Sequence, residues 1–183
     1  MIKITKRYAK SLIKLSIERG ELTESYNDLV LVNKVCSENN DFILMLKSPI
    51  IGTDKKLTII KSIFSKKISQ LTLLFIEIII KKKREYLLSS IAKNFIELYK
   101  THNKIISASV ITSISLDKPL REKIIALVKK NKEFEVELNE KIYPDIIGGS
   151  IITIGDFQLD NSIKTQLYNL KNSYNKNLYI KDY

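Results

Sequence analysis

The stretch Phe95-Ile96-Glu97-Leu98-Tyr99-Lys100-Thr101-His102-Asn103-Lys104-Ile105-Ile106-Ser107-Ala108-Ser109-Val110-Ile111-Thr112 changes its hydrophobic period part-way along. Up to His102, the residues Leu88, Ile91, Phe95, Leu98 and His102 keep the 3.6-residue spacing of an amphipathic helix. Beyond Lys104, Ile106, Ala108, Val110, Thr112 and Ile114 alternate with Ser107, Ser109, Ile111, Ser113 and Ser115, the pattern of a half-buried strand. The switch predicts two modules, a helical one over residues 1–104 and a smaller α+β one over 105–183.

Upstream of the switch the helical period repeats. Tyr8, Leu12 and Leu15 form a stripe that runs until Gly20 offers a stop. Thr23 is a candidate cap for a second helix through Tyr26, Leu29 and Val32 to Cys36, and Asp41 for a short third over Phe42 to Leu46. Pro49 disfavours helical geometry at Ser48, which closes that third helix. Thr53 or Asp54 opens a fourth, with Leu57, Ile60 and Phe64 inward, and Ser69 to Lys81 reads as a fifth. Together with the Leu88 to His102 stripe these make a six-helix bundle.

Downstream, Asp117 caps a helix that has Pro119 in its first turn, Leu120, Ile124 and Leu127 inward, and Asn131 at its end. Phe134, Val136 and Leu138 alternate with Glu133, Glu135 and Glu137 in a second strand. Ser150 to Ile154 forms a third between Gly148-Gly149 and Gly155-Asp156, and a last helix from Asp160 places Ile163, Leu167, Leu170 and Tyr174 on one side. The expected fold class is therefore α+β, mostly α: an N-terminal six-helix bundle followed by a small β-α-β-β-α domain, with the last two helices covering the sheet.

Composition excludes several functional classes. Cys36 has no partner in a chain of 183 residues with one Cys, so no disulfide scaffold is available. Cys36 and His102 are the only soft metal ligands, no Gly-Lys-Ser/Thr phosphate loop occurs, and no nucleophile is grouped with an acid or base. No catalytic, metal or cofactor site is expected. The most apolar run, Ile68 to Ile80, contains Gln70 and Glu77 and is shorter than the ~20 residues a spanning helix needs. The basic start lacks a signal-peptide apolar region, so the chain is expected to remain where it is made.

The formal charge is +11, and residues 1–105 hold 20 Lys plus Arg against 10 Asp plus Glu, whereas 106–183 hold 11 against 10. A basic helical nucleic-acid-binding protein is one reading of that excess, and a steep loss of affinity with salt would mark it. However, Lys supplies 27 of the 31 cations, and Lys, Ile and Asn are the residues that AT-rich codons encode. Bidentate phosphate and base recognition favours Arg, of which only Arg7, Arg19, Arg84 and Arg121 are present.

Several motifs carry a family resemblance. Arg7-Tyr8-Ala9-Lys10-Ser11-Leu12 resembles the Tyr-Ala-x-Ala-Leu opening of the delta subunits of F-type ATP synthases, with Ser11 in place of the usual Ala. Leu46-Lys47-Ser48-Pro49-Ile50 is similar to that family's Ser-Pro joint, and Leu73-Leu74-Phe75 to Arg84 to its fifth helix, which ends in a basic residue. The most specific match is Tyr143-Pro144-Asp145-Ile146-Ile147-Gly148-Gly149 with Gly155-Asp156, Asp160 and Ser162, although Tyr143 stands where Asp is usual and Asn161 where Gly is common.

The resemblance implies a non-catalytic stator subunit at the cytoplasmic face of a bacterial cell membrane. The helical module would bind the N-terminal helices of the alpha subunits through Tyr8, Ser11, Leu12, Leu15, Leu74 and Ile78. The small domain, with its structural signature Pro144, Gly148, Gly149, Gly155, Asp156, Asp160 and Ser162, would hold the membrane-anchored b subunits.

Overall fold

The computed structural model describes residues 2–129 and 134–175. They form a mostly helical chain with one small four-stranded mixed sheet, and they divide into two compact units, Met1–Asn103 and Lys104–Tyr183.

In the first unit, α1 (Ile2–Arg19), α2 (Leu22–Glu38), α3 (Asn40–Lys47), α4 (Thr53–Phe64), α5 (Gln70–Lys81) and α6 (Leu88–His102) follow one another through short joints. On α1 the buried face is Thr5, Ala9, Leu12, Ile13 and Ser16. That helix ends at Gly20, whose φ of +72° lets its amide bond to Ile17 O while the Glu21 amide bonds to Ser16 O, closing two carbonyls. α5 ends in the same way, except that Lys83 takes the left-handed position (φ +54°), with the Lys83 amide on Ile80 O and the Arg84 amide on Ile79 O.

Side chains of all six helices contribute to one apolar core, including Leu12, Leu29, Leu46, Ile60, Phe64, Ile76, Ile79, Leu88, Ile91 and Phe95. Each fully buried chain of this size contributes roughly 1.5–3 kcal/mol, so apolar burial outweighs any single polar contact in holding the unit. Two expected caps fall elsewhere. Thr23 lies inside the first turn of α2, with Glu21 at the cap position and no side-chain cap bond. Asn39, rather than Asp41, precedes α3. The second joint is so short that Asn39 serves both helices, its amide closing α2 on Val35 O and its carbonyl accepting the Ile43 amide at the start of α3.

The second unit contains β1 (Ile105–Thr112), α7 (Lys118–Lys129), β2 (Glu135–Ile142), β3 (Ser150–Ile154), β4 (Phe157–Asp160) and α8 (Ile163–Asn175). The sheet order is β2-β1-β3-β4, parallel between β1 and β2 and antiparallel elsewhere. The parallel pair requires a crossover, and α7 lies within it.

The order is thus β-α-β-β-β-α, one strand more than expected. The extra strand is β4, which pairs Ile154 with Phe157 across the two-residue turn Gly155-Asp156. Gly155 has φ +56° at the first turn position, where a type II′ hairpin favours glycine.

The cover of the sheet also differs from expectation. Ile124 and Val128 of α7 pack on Ala108, Val110 and Ile152, while Leu120 and Leu127 remain half exposed. On α8 the residues Ile163, Leu167, Leu170 and Tyr174 are all exposed, so this helix does not close over the sheet. Leu159 and Phe157 stand opposite Ile152 and Ile154 on the edge strand and are likewise exposed. Asn131 and Glu133 lie outside the described residues.

Candidate partner-binding sites

α5 is strongly apolar, with Gln70, Glu77 and Lys81 as its polar side chains besides the buried Thr72, and only part of its apolar surface is covered. Leu71, Thr72, Ile76, Ile79 and Ile80 are buried, whereas Leu74 and Ile78, four residues apart on one stripe, are 48% and 52% exposed. These two apolar side chains stand between exposed Gln70 and Lys81 on the outer stripe of the helix. On α1, Leu15 is 39% exposed, with Ile4 and Ser11 also exposed and Tyr8 half buried.

Three contacts relate the two helices. The Arg84 Nη1 donates to Tyr8 Oη at 2.8 Å, and the guanidinium lies 5.8 Å from the Tyr8 ring centroid. Tyr8 meets Phe75 edge-on at 6.3 Å. A depression of about 280 Å³ opens there between Ile4, Arg7, Tyr8, Ser11 and Arg84. A second, of about 430 Å³, lies at the far end of the helices between Arg19, Glu21, Glu24, Ser69, Gln70, Leu71 and Leu74.

The six residues expected to face a partner therefore separate. Tyr8 and Ser11 line the first depression and Leu74 the second, while Leu15 and Ile78 are exposed on α1 and α5 without lining either. Leu12 differs: at 1% exposure it belongs to the core, three residues on from Ala9 along the buried face of α1. Arg84 is the participant that sequence reasoning passed over as a contact residue. Its signal was present in the basic run Lys81 to Arg84, but that run also reads as a solvated loop.

Pro144, Gly148, Gly149, Asp160 and Ser162 of the C-terminal signature gather into one structural joint, whereas Gly155 and Asp156 make the hairpin turn at the other end of β3 and β4. Pro144–Ile146 make a 3₁₀ turn that buries Ile146, and the next residue, Ile147, takes φ +68° and ψ −45°. The Gly148 amide bonds to Ile146 O at 2.8 Å across Ile147, a tight and strained γ-turn. Gly149 follows at φ +79°, and a Cβ there would lie 2.2 Å from the carbonyl oxygen of Asn161. A Cβ at Gly148 would meet only the mobile tip of the Ile163 side chain.

Asp160 and Ser162 then start α8. The Ser162 amide donates to Asp160 Oδ1 at 2.9 Å, Thr165 Oγ1 donates to Asp160 Oδ2 at 2.8 Å, and the Thr165 amide donates to Ser162 Oγ. These bonds, from the Ser162 amide first and then the hydroxyls, hold the Asp160 carboxyl below its ordinary pKa. The signature thus seats the hairpin and the start of α8 on each other, backbone to backbone, through Asn161 N to Ser150 O and Ile163 N to Gly148 O.

Neither surface carries reactive chemistry. Cys36 is fully buried and its thiol is pushed up to about 11 by that burial, which keeps it protonated at neutral pH. Among the described residues no group of three His, Cys, Asp or Glu side chains is placed to hold a metal, and no helix is long and apolar enough to cross a membrane.

Comparison with known proteins resolves the family. Residues 4–174 match the family model described as the ATP synthase delta (OSCP) subunit. The ATP synthase subunit delta of Amoebophilus asiaticus is 37% identical over 174 residues, covering 94% of this chain and 95% of that one. Its counterpart in Chlorobium phaeobacteroides is 31% identical over 169 residues, covering 92% and 94%. A chain in the Toxoplasma gondii mitochondrial ATP synthase hexamer shares the fold, with a TM-score of 0.71 at 22% identity over 93% of this chain and 96% of that chain. The protein belongs to the ATP synthase delta (OSCP) subunit family, the non-catalytic stator subunits of the enzyme's peripheral stalk.

Proposed function

We propose that the helical unit, residues 1–104, acts as a six-helix bundle that binds the catalytic head, and that residues 105–183 hold the b subunits of the stalk. In this reading the N-terminal helix of an alpha subunit lies along α1 and α5, against Tyr8, Ser11, Leu15, Leu74 and Ile78. The protein works at the cytoplasmic face of a bacterial cell membrane, attached through the complex. It keeps the head from turning with the central shaft, so its task is to transmit torque between two partners rather than to react.

One observation carries this proposal: Leu74 and Ile78 stay half exposed as an apolar pair on the outer stripe of α5, between Gln70 and Lys81. An amphipathic helix laid into such a groove supplies the missing apolar cover. For the second unit, the open stripe of α8 and the exposed edge of β4 support a docking role. The test is Ile78→Asp, which puts a charge at the centre of the groove without touching the core. Head binding is expected to fall at least about tenfold, since burying an unpaired carboxylate opposes docking strongly, while the circular dichroism of the free subunit is retained. Undiminished binding by the folded variant removes the site.

A further inference from the structure

We infer that the groove between α1 and α5 is electrically polar along its length, and that it takes an amphipathic helix in one orientation, acidic end against Arg7 and Arg84 and basic end against Glu21 and Glu24. The inference rests on the groove being the head-binding site proposed above, and it adds the partner's charge pattern and direction.

The two helices run antiparallel. Arg84, just past α5, meets Tyr8 near the start of α1, while Arg19, the last residue of α1, shares a depression with Leu71 and Leu74 near the start of α5. The end marked by Tyr8 is lined by two arginines, and the end marked by Leu74 by two glutamates and one arginine.

Among the described residues, no carboxylate lies within ion-pair distance of Arg7 or Arg84. Arg84 is nonetheless held in place, one N–H on the Tyr8 phenol and its plane near the Tyr8 ring. Its further N–H donors form the planar fork that suits a carboxylate. A fixed guanidinium without an acid is half of an ion pair.

Local helix electrostatics account for only part of this pattern. Glu21 and Glu24 at the start of α2, and Lys81 to Arg84 at the end of α5, each suit the dipole of their own helix. The start of α1 does the opposite: Lys3, Lys6 and Arg7 occupy its first two turns, and no acid stands in the first. Cations at a positive helix end oppose folding, and an acidic partner would offset that opposition. The partner's own dipole favours acids in its first turn and bases in its last, so its N-terminus belongs at the Arg7 and Arg84 end.

The experiment measures binding of the full-length subunit to the alpha and beta catalytic head, purified from the same source and stripped of this subunit. Arg7→Glu, Arg84→Gln, Glu24→Lys and Ile78→Asp are compared at low and high ionic strength, with circular dichroism checking each fold. Arg7 and Glu24 are exposed and make no ion pair among the described residues, so those two variants keep the test readable if Arg84→Gln disturbs the helix end. Expected are losses of about three- to tenfold for Arg7→Glu, Arg84→Gln and Glu24→Lys at low salt, through slower association, shrinking at high salt.

Glu24→Lys is the discriminating variant. Tighter binding by it would mean a uniformly acidic partner and would overturn the orientation. Charge variants that bind like the parent while Ile78→Asp fails would overturn the polarity and leave the groove standing. Parent-like binding by Ile78→Asp as well would remove the groove and this inference together.

Discussion

Asp28 of α2 accepts two hydrogen bonds from Ser69, from its amide at 2.9 Å and its hydroxyl at 2.6 Å, so a buried carboxylate fastens the start of α5 to α2. Ser69 Oγ in turn accepts from the Thr72 amide and completes the cap. The helix that lines the proposed groove is thereby held at its N-terminal end by a residue 41 positions away.

Asp28→Ala removes Oδ2, the one oxygen that accepts both bonds, and leaves two donors beneath the surface. Hydrogen bonds to charged groups contribute about 1.5–3 kcal/mol, and a loss of about 3 kcal/mol in urea unfolding is expected. Asp28→Asn, whose amide oxygen in the place of Oδ2 keeps both bonds but not the charge, is expected to lose about half as much. Equal losses for the two variants would mean that packing, not capping, is what Asp28 supplies.

Lys56 and Glu85 form a second buried tie. The Lys56 ammonium, 3% exposed, donates to Glu85 Oε1 at 2.6 Å and to Leu46 O at 2.9 Å, joining α4, α3 and the turn before α6. Breaking one side strands a charge, so Lys56→Met and Glu85→Leu are each expected to cost about 3–5 kcal/mol. The double variant is expected to recover most of that loss, because a buried pair gains little over apolar packing once desolvation is counted. Additive losses in a double-mutant cycle would contradict this account.

Gly149 and Ile147 test the C-terminal joint in opposite directions. Gly149→Ala combines left-handed backbone with a Cβ 2.2 Å from a backbone carbonyl, so it is expected to unfold the small domain or cost more than about 3 kcal/mol. Gly155→Ala meets only the backbone penalty, about 1–2 kcal/mol. Ile147→Gly relieves a strained, exposed position and is expected to raise stability by about 1 kcal/mol. Thermal melts of the three variants give the order.

Asp160 sets a pH dependence at the start of α8. Its folded pKa is depressed, chiefly by the Ser162 amide, so its contribution is full above the unfolded carboxylate pKa and is lost as pH falls through the folded value. Acidification is therefore expected to loosen α8 before the helical unit responds to this group. In Asp160→Asn that acid-side step disappears from amide exchange across Ser162 to Gln166. A step of unchanged size would assign the effect to another carboxylate.

Much of this architecture is present in the residues themselves. The stripes of α1, α4 and α6 and the change of period at Lys104 follow from short-range rules, because the side-chain directions of helix and strand differ in period whatever surrounds them. The glycines at 149 and 155 could be anticipated for the same reason: a positive φ is a local demand. The spacing of Asp160 and Ser162 ahead of an apolar run announces a cap.

What the chain order does not contain is which neighbour each face meets. β4 offers only four residues, too few for a clear alternation, and it becomes a strand because Ile151 to Ile154 stand ready to pair with it. Leu12 and Leu15 both occur in the apolar pattern of α1, yet packing against the other helices buries the first and leaves the second open. On α5 the apolar residues spread over most of the circumference, so periodicity alone does not single out Leu74 and Ile78 as the uncovered ones. Arg84 and Tyr8 are 76 residues apart, and Asp28 and Ser69 are 41 apart. Local propensity acts over one or two turns. Pairings at that separation, and the groove they define, exist only because the folded core brings α1, α2 and α5 together.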